Sequence, residues 1–243
     1  MFETLAPAKL TLSLRITGVR HDGLHEIDAE MTTLDFADRL QILEGGRGVQ
    51  MLDESGRELV GVTRPGENLV DRALALAGRR AGVTVHKRIP AGAGLGGGSA
   101  DAAAVLRWAQ IDDPVLAASI GADVAFCLVG GRARVRGVGE LVEPRPYVRE
   151  RYTLQLVPVA CATAAVYAAW DELGGPVGAH GNDLEDAALR VAPELAEWRE
   201  ALGNSTGLTP RLAGSGSTWF VAGAHPGPGR VVVTTTEAPG PSI

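Results

Sequence analysis

Cysteine is scarce: Cys127 and Cys161 are the only two among 243 residues. Two thiols cannot build a disulfide framework or a cysteine-rich zinc centre, so both are expected to be reduced and buried, as in a cytoplasmic protein. Long apolar runs are missing too. The longest, around Val115 to Val129, is interrupted by Asp123, and the N-terminus lacks the basic-then-apolar region of a secretory signal, so no membrane partner is expected. Basic residues are outnumbered, giving a net charge of -6. Binding a nucleic-acid backbone relies on clustered Lys and Arg, so no nucleic-acid partner is expected, whereas a small anion needs only one local positive site. Histidine forms no convincing metal set: His21 and His25 share a turn with Asp22 and Glu26, and no matching cluster stands elsewhere. Internal repeats and low-complexity tracts are absent.

What is present is an ordinary globular composition, 45% hydrophobic and 21% charged, long enough for one large domain or two modest ones. Its most informative stretch runs from Ile89 to Ala104. Gly92, Gly94, Gly96, Gly97 and Gly98 put five glycines into seven residues, and Ser-Ala-Asp-Ala-Ala-Ala follows at once. An alternating segment, Val83 to Ile89, leads into it, so the order is strand, glycine loop, helix, the helix opening at Ser99. Unpaired amides and the positive end of the helix dipole favour an anion at such a junction. A flexible linker or a plain tight turn is the alternative. The Walker pattern fails because no Lys-Ser or Lys-Thr follows the glycines. Gly92, Gly94 and Gly97 satisfy GxGxxG, but a dinucleotide fold wants an apolar parallel strand near the start of its domain, and this strand alternates deep within the chain.

Elsewhere, residues 2–16 alternate as a strand with Leu10, Leu12, Leu14 and Ile16 on one face. Lys9 lies on the other face, where a solvated lysine is the bland expectation. Gly18 to Glu26 reads as a polar turn and Ile27 to Leu43 as a further strand; a glycine-rich hairpin around Gly45–Gly56 then precedes a helix over 68–77. The helix from Ser99 carries Ala102, Val105, Leu106 and Ala109 as its apolar positions, and Asp113-Pro114 starts a short one. Asp123 is one acid in an apolar run; it either caps a helix or needs a charge partner. Strands over 132–138 and 152–159 flank Glu143-Pro144-Arg145-Pro146, a plausible domain boundary. Helices near 164–172, 184–190 and 193–202, a Gly/Ser turn at 214–217 feeding a strand, and a last strand around 230–236 complete the chain.

Five separated segments together resemble one family. Ala6-Pro7-Ala8-Lys9 with Arg20 to Glu26, Ile89 to Ala104, Gly121 to Phe126, Gly181-Asn182-Asp183-Leu184-Glu185 and Leu212 to Thr218 stand in the order found in the GHMP small-molecule kinases. The likeness is greatest to the branch that uses a cytidine diphosphate methylerythritol in non-mevalonate isoprenoid synthesis. It implies a two-domain α+β GHMP kinase fold: a ribosomal-protein-S5-like, ATP-binding half over 1–145 and a ferredoxin-like half over 146–243, with the active site between them. It further implies that Gly92, Gly94, Leu95, Gly96, Gly97, Gly98, Ser99 and Ala100 wrap the phosphates of ATP, with Asn68 and Lys87 near the nucleotide. Lys9 and Asp123 become the catalytic pair, Ser99 a contact for phosphate or Mg²⁺, and Thr11, Leu24, His25, Tyr167, Gly214 and Ser215 the surroundings of the acceptor alcohol. Thr11 stands where the family has Asn, Leu24 where it has a Tyr that stacks on cytosine, and Ala125 where Pro is usual; the 104–121 connection is short. A kinase for another small alcohol, or a nucleotide-binding homologue with little kinase activity, therefore stays open. A monomer or weak homodimer is expected.

Overall fold

Alternation over the first 44 residues produces the longest elements of the fold. β1 (Phe2–Val19) pairs antiparallel with β2 (His25–Glu44) along nearly its whole length, joined by a turn in which Gly23 takes φ +82°. The computed structural model describes residues 1–59 and 68–238. β3 (Val49–Leu52) and, after α1 (Leu69–Leu76), β4 (Ala81–His86) run parallel to each other. Of the expected hairpin around Gly45–Gly56, only the end at Gly56 forms, where Leu52 bridges Glu58 antiparallel across a turn; β3 itself is a short edge strand that pairs with β4 and not with its sequence neighbour β2. α2 (Gly97–Trp108), α3 (Pro114–Ala118) and α4 (Ala122–Val129) follow, then β5 (Arg132–Gly137) and β6 (Leu141–Arg145). The Pro-rich segment at 143–146 is partly strand. Pro144 is accommodated because, among the described residues, β6 pairs only with β5, and an edge strand can forgo one amide donor.

Helix α2 is buried almost all round, with Ala100 to Leu106 all inaccessible, because α1 and α4 flank it while β1 and β2 lie beneath. Four alanines in that run let the neighbouring elements approach closely. The expected single apolar face is therefore too narrow: Ala103 and Ala104 are as buried as Val105, and Ala109 lies just beyond the helix.

The remaining chain comprises β7 (Arg151–Gln155), α5 (Thr163–Glu172), α6 (Glu185–Val191), α7 (Leu195–Thr206), β8 (Arg211–Leu212), β9 (Trp219–Ala222) and β10 (Arg230–Thr236). Buried Trp219 fixes α7 to this sheet, its indole N–H donating to the Leu195 carbonyl at 3.0 Å. β10 pairs with β7 through Arg230–Thr234 and with β2 through Thr235 and Thr236, so one strand belongs to both sheets. β1 links the halves in a second way. Leu10 and Leu12 pack in a core with Ile89, Leu95, Leu154 and Phe220, whereas Leu14 joins the core beneath α2 and α4. Register shifts at Pro7/Lys9 and Thr11/Ser13 make this change of side possible. Lys9 and Thr11, alternating with Leu10 and Leu12, consequently point into the space between the halves.

Candidate active site

That space is a cleft of about 570 Å³ bordered by Lys9, Thr11, Asn68, Lys87, the 90–99 loop, Asp101, Asp123, Tyr167, Gly214 and Ser215. Lys9 is nearly inaccessible rather than solvated. Its Nζ donates to Thr11 Oγ1 at 3.0 Å and lies 3.4 Å from Asp123 Oδ2, so Thr11 still supports the lysine although it is shorter than Asn. Asp123 sits in the first turn of α4, where the positive end of the helix favours its charge. Its side chain is 36% exposed, so this acid is reachable from the cleft and not buried as the apolar run around it suggested.

The glycine loop is fixed by its carbonyls. Those of Gly92, Ala93 and Leu95 accept from the amides of Cys161, Thr218 and Lys9, at 3.1, 3.2 and 3.0 Å, which ties the loop to three other segments. Gly96 ends it in a left-handed conformation, φ +68°, and serves as a helix cap without a side chain. Helix α2 hence starts at Gly97, two residues before Ser99. Among the described residues no acceptor is paired with the amides of Gly92 through Ser99. Unpaired donors at a helix start suit phosphate oxygens. Ala100 differs: its amide closes the first helical bond to Gly96, and its side chain is buried, as is that of Leu95. These two shape the loop from behind.

Lys87 lies under the loop in a setting that sequence reading missed. Its ammonium forms ion pairs with Asp38 and with Asp101, the latter at 2.7 Å, and both carboxylates are inaccessible. Asp38 also accepts the amides of Arg88 and Ile89 at 2.5 and 2.8 Å. Burial alone would lower the Lys87 pKa, but the two carboxylates outweigh it and hold it above the ordinary lysine value. Burial pushes the Asp101 carboxyl up to about 7 against the pull of Lys87, with the Asp38 charge assisting. Lys9 and Lys87 are the chain's only two lysines, against 21 arginines, and both border this cleft.

Along another part of the cleft, His25 Nε2 bonds Asp171 Oδ1 at 2.8 Å, and its ring lies 4.7 Å from that of Tyr167 and 5.6 Å from that of Trp170. Tyr167 is largely enclosed, and burial raises its phenol pKa, with Asp123 adding to the effect. Leu24 is not brought to the cleft; it is half exposed in the β1–β2 turn. Asn68 borders the cleft, but its amide is engaged with Asp71 as the cap of α1. Ser215 Oγ lies 3.1 Å from Thr163 Oγ1. Both cysteines are buried as expected, and burial pushes the Cys127 thiol up to about 12, which makes it inert.

Residues 68–131 match the N-terminal domain family of the GHMP kinases. A 4-diphosphocytidyl-2-C-methyl-D-erythritol kinase of Cereibacter sphaeroides is 35% identical, the match spanning 99% of this chain and 96% of the relative; one of Paracoccus denitrificans is 36% identical across 88% and 84%. The chain belongs to the 4-diphosphocytidyl-2-C-methyl-D-erythritol kinase family. A crystal structure of a 4-(cytidine 5'-diphospho)-2C-methyl-D-erythritol kinase superposes with a TM-score of 0.74 at 32% identity, covering 96% of this chain and 99% of the other. A mevalonate kinase at 10% identity and a TM-score of 0.58 shares the fold alone. The α+β architecture is that of the GHMP kinases, and the chain is an ATP-dependent kinase. Among the described residues no helix is long and apolar enough to cross a membrane.

Proposed function

We propose that this kinase transfers the γ-phosphoryl group of ATP to the 2-hydroxyl of 4-diphosphocytidyl-2-C-methyl-D-erythritol, a step of non-mevalonate isoprenoid precursor synthesis. The observation that carries the reading is the Lys9–Asp123 pair, 3.4 Å apart and opposite a loop of unpartnered amides. Asp123 accepts the proton of the attacking hydroxyl. Lys9 stands beside that carboxylate and opposes the charge spreading over the transferring group. The amides of Gly92 to Ser99 hold the phosphates, and Ser99, which borders the cleft in the first turn of α2, would contact phosphate or a phosphate-bound Mg²⁺. No group of three or more His, Cys, Asp or Glu among the described residues forms a metal cage, which suits an ion held mainly by phosphate oxygens. Bound there, Mg²⁺ would neutralise phosphate charge.

The cytidine ring belongs beside Tyr167 and His25. Of the departures from the family pattern, Leu24, outside the cleft lining, is the one that bears on the base and favours a different alcohol. We assign residues 1–145 to the ATP-binding half and 146–243 to the other, and place the enzyme in the cytoplasm as a monomer or weak homodimer.

A phosphoryl-transfer assay with Mg-ATP across alcohols with and without a cytidylyl group tests the reading. Asp123→Asn and Lys9→Ala should each lower kcat at least roughly 100-fold. The double variant should fall little further, since the two act as a unit. Wild-type turnover in folded Asp123→Asn ends the catalytic assignment. Phosphorylation confined to alcohols lacking the base ends the substrate assignment.

A further inference from the structure

The Gly181-Asn182-Asp183-Leu184-Glu185 motif has no part in the chemistry above, yet Asn182 and Asp183 are almost wholly buried. The two side chains face different elements. Asp183 holds β1: its Oδ2 accepts the Ile16 amide at 2.9 Å, and its Oδ1 accepts Arg15 Nη1 at 2.5 Å and the Gly178 amide at 2.9 Å. Main-chain bonds join the same partners, Leu14 N to Gly181 O at 2.8 Å and Asp183 N to Leu14 O at 3.0 Å. Asn182 holds the opposite wall. Its Nδ2 donates to the carbonyls of Leu212 and Gly214 at 3.0 and 2.7 Å, while its Oδ1 accepts the Leu184 amide at 3.0 Å.

Gly214 is packed closely against the site. A Cβ there would stand 3.1 Å from Lys9 Nζ, 3.4 Å from the Gly94 carbonyl and 3.6 Å from Thr11 Oγ1. The segment that is stitched to the Lys9-bearing strand therefore also sets how far Gly214 stands from Lys9. We propose that Asn182 is a positioning residue that fixes the Gly214–Ser215 turn over Lys9 and the glycine loop and so defines the space for the acceptor hydroxyl. This rests on the reading of Gly214 and Ser215 as the acceptor border.

Asn182→Asp is the primary test: it keeps shape but turns the two donors into an oxygen facing two carbonyls. Amide exchange over 212–216, measured without substrate, should rise at least roughly tenfold if these two hydrogen bonds hold the turn. With the best alcohol acceptor of the wild type, kcat should fall roughly 10- to 100-fold, the scale of an ångström-sized misplacement, while KM for ATP stays within about twofold. Asp183→Asn is the contrast: it weakens the side-chain bonds to Arg15 and Ile16 but leaves the main-chain bonds to Leu14 that hold the segment to β1, so it should lower Tm, with kcat and exchange over 212–216 close to wild type. Should Asn182→Asp fail to fold, Asn182→Ser, too short to reach both carbonyls, is read in the same way. Wild-type exchange over 212–216 in a folded Asn182 variant overturns the proposal. So does a variant whose kcat is unchanged or falls only in proportion to its loss of Tm. The exchange measurement needs no substrate, so a wrong acceptor assignment leaves it intact.

Discussion

At the level of single residues, the chain puts three ionisable groups into one inaccessible place, Asp38, Lys87 and Asp101. Two carboxylates against one ammonium leave a net negative charge beneath the glycine loop, and Asp101 Oδ1 has no hydrogen-bond partner among the described residues. A proton on Asp101 removes that charge. The consequence for stability has a definite sign. Burial pushes the Asp101 carboxyl up to about 7 from 3.8, so between those values the folded chain holds a proton that the unfolded chain has released. Its contribution is complete below pH 4 and is lost as pH rises through about 7. Urea unfolding at pH 5 and pH 8 should show the wild type losing about 1–3 kcal/mol more than Asp101→Asn over that interval. Parallel stability profiles for the two proteins would remove Asp101 as the titrating group. Nothing in the sequence announces this triad. Asp38 lies within an alternating strand, Lys87 just beyond the end of another and Asp101 in the second turn of a helix, and only tertiary packing brings them within bonding distance.

At the level of elements, the glycine loop and α2 were legible because each local signal agrees: an alternating strand, glycines free to take positive φ, and an alanine-rich helix. The helix start was misplaced by two residues because Gly96 caps it through its backbone, and capping signals in sequence are side chains. β3 was missed for a different reason: four residues carry too little periodicity to reveal a parallel pairing. The glycines themselves divide into two kinds. Gly94 takes φ +74°, and a Cβ would stand 2.0 Å from the Ala213 carbonyl, so Gly94→Ala forces the loop away from the opposite turn. A loss of at least about 1–2 kcal/mol is expected from the backbone alone. Gly98 is helical, and its nearest neighbour to a new Cβ is Leu69 Cδ1 at 3.9 Å. Gly98→Ala should therefore stabilise the fold by about 0.5–1 kcal/mol. If phosphate lies along these amides, the same change should weaken ATP binding measured by calorimetry. A variant both more stable and equally tight for ATP would separate Gly98 from the phosphate path.

At the level of the whole molecule, the cleft exists because two strands refuse to belong to one half. β10 completes both sheets, and β1 changes cores part-way along its length, so the walls bearing Lys9, Gly214 and the glycine loop are held against one another by continuous backbone. Sequence reading located the partners on either side but not this sharing, since edge choice depends on strands far apart in the chain. The distribution of amines adds another property. Among the described residues the cationic side chains on the outer surface are guanidinium groups, and the two lysines are enclosed in ion pairs within the cleft. An acylating reagent needs an amine it can reach, and burial together with ion pairing shields both lysines in the folded chain. Peptide mapping by mass spectrometry should find Lys9 and Lys87 unmodified under native conditions and both modified in urea; rapid native acylation of Lys87 would contradict the triad. Amine chemistry, indiscriminate on most protein surfaces, becomes for this chain a reporter of whether the cleft has opened.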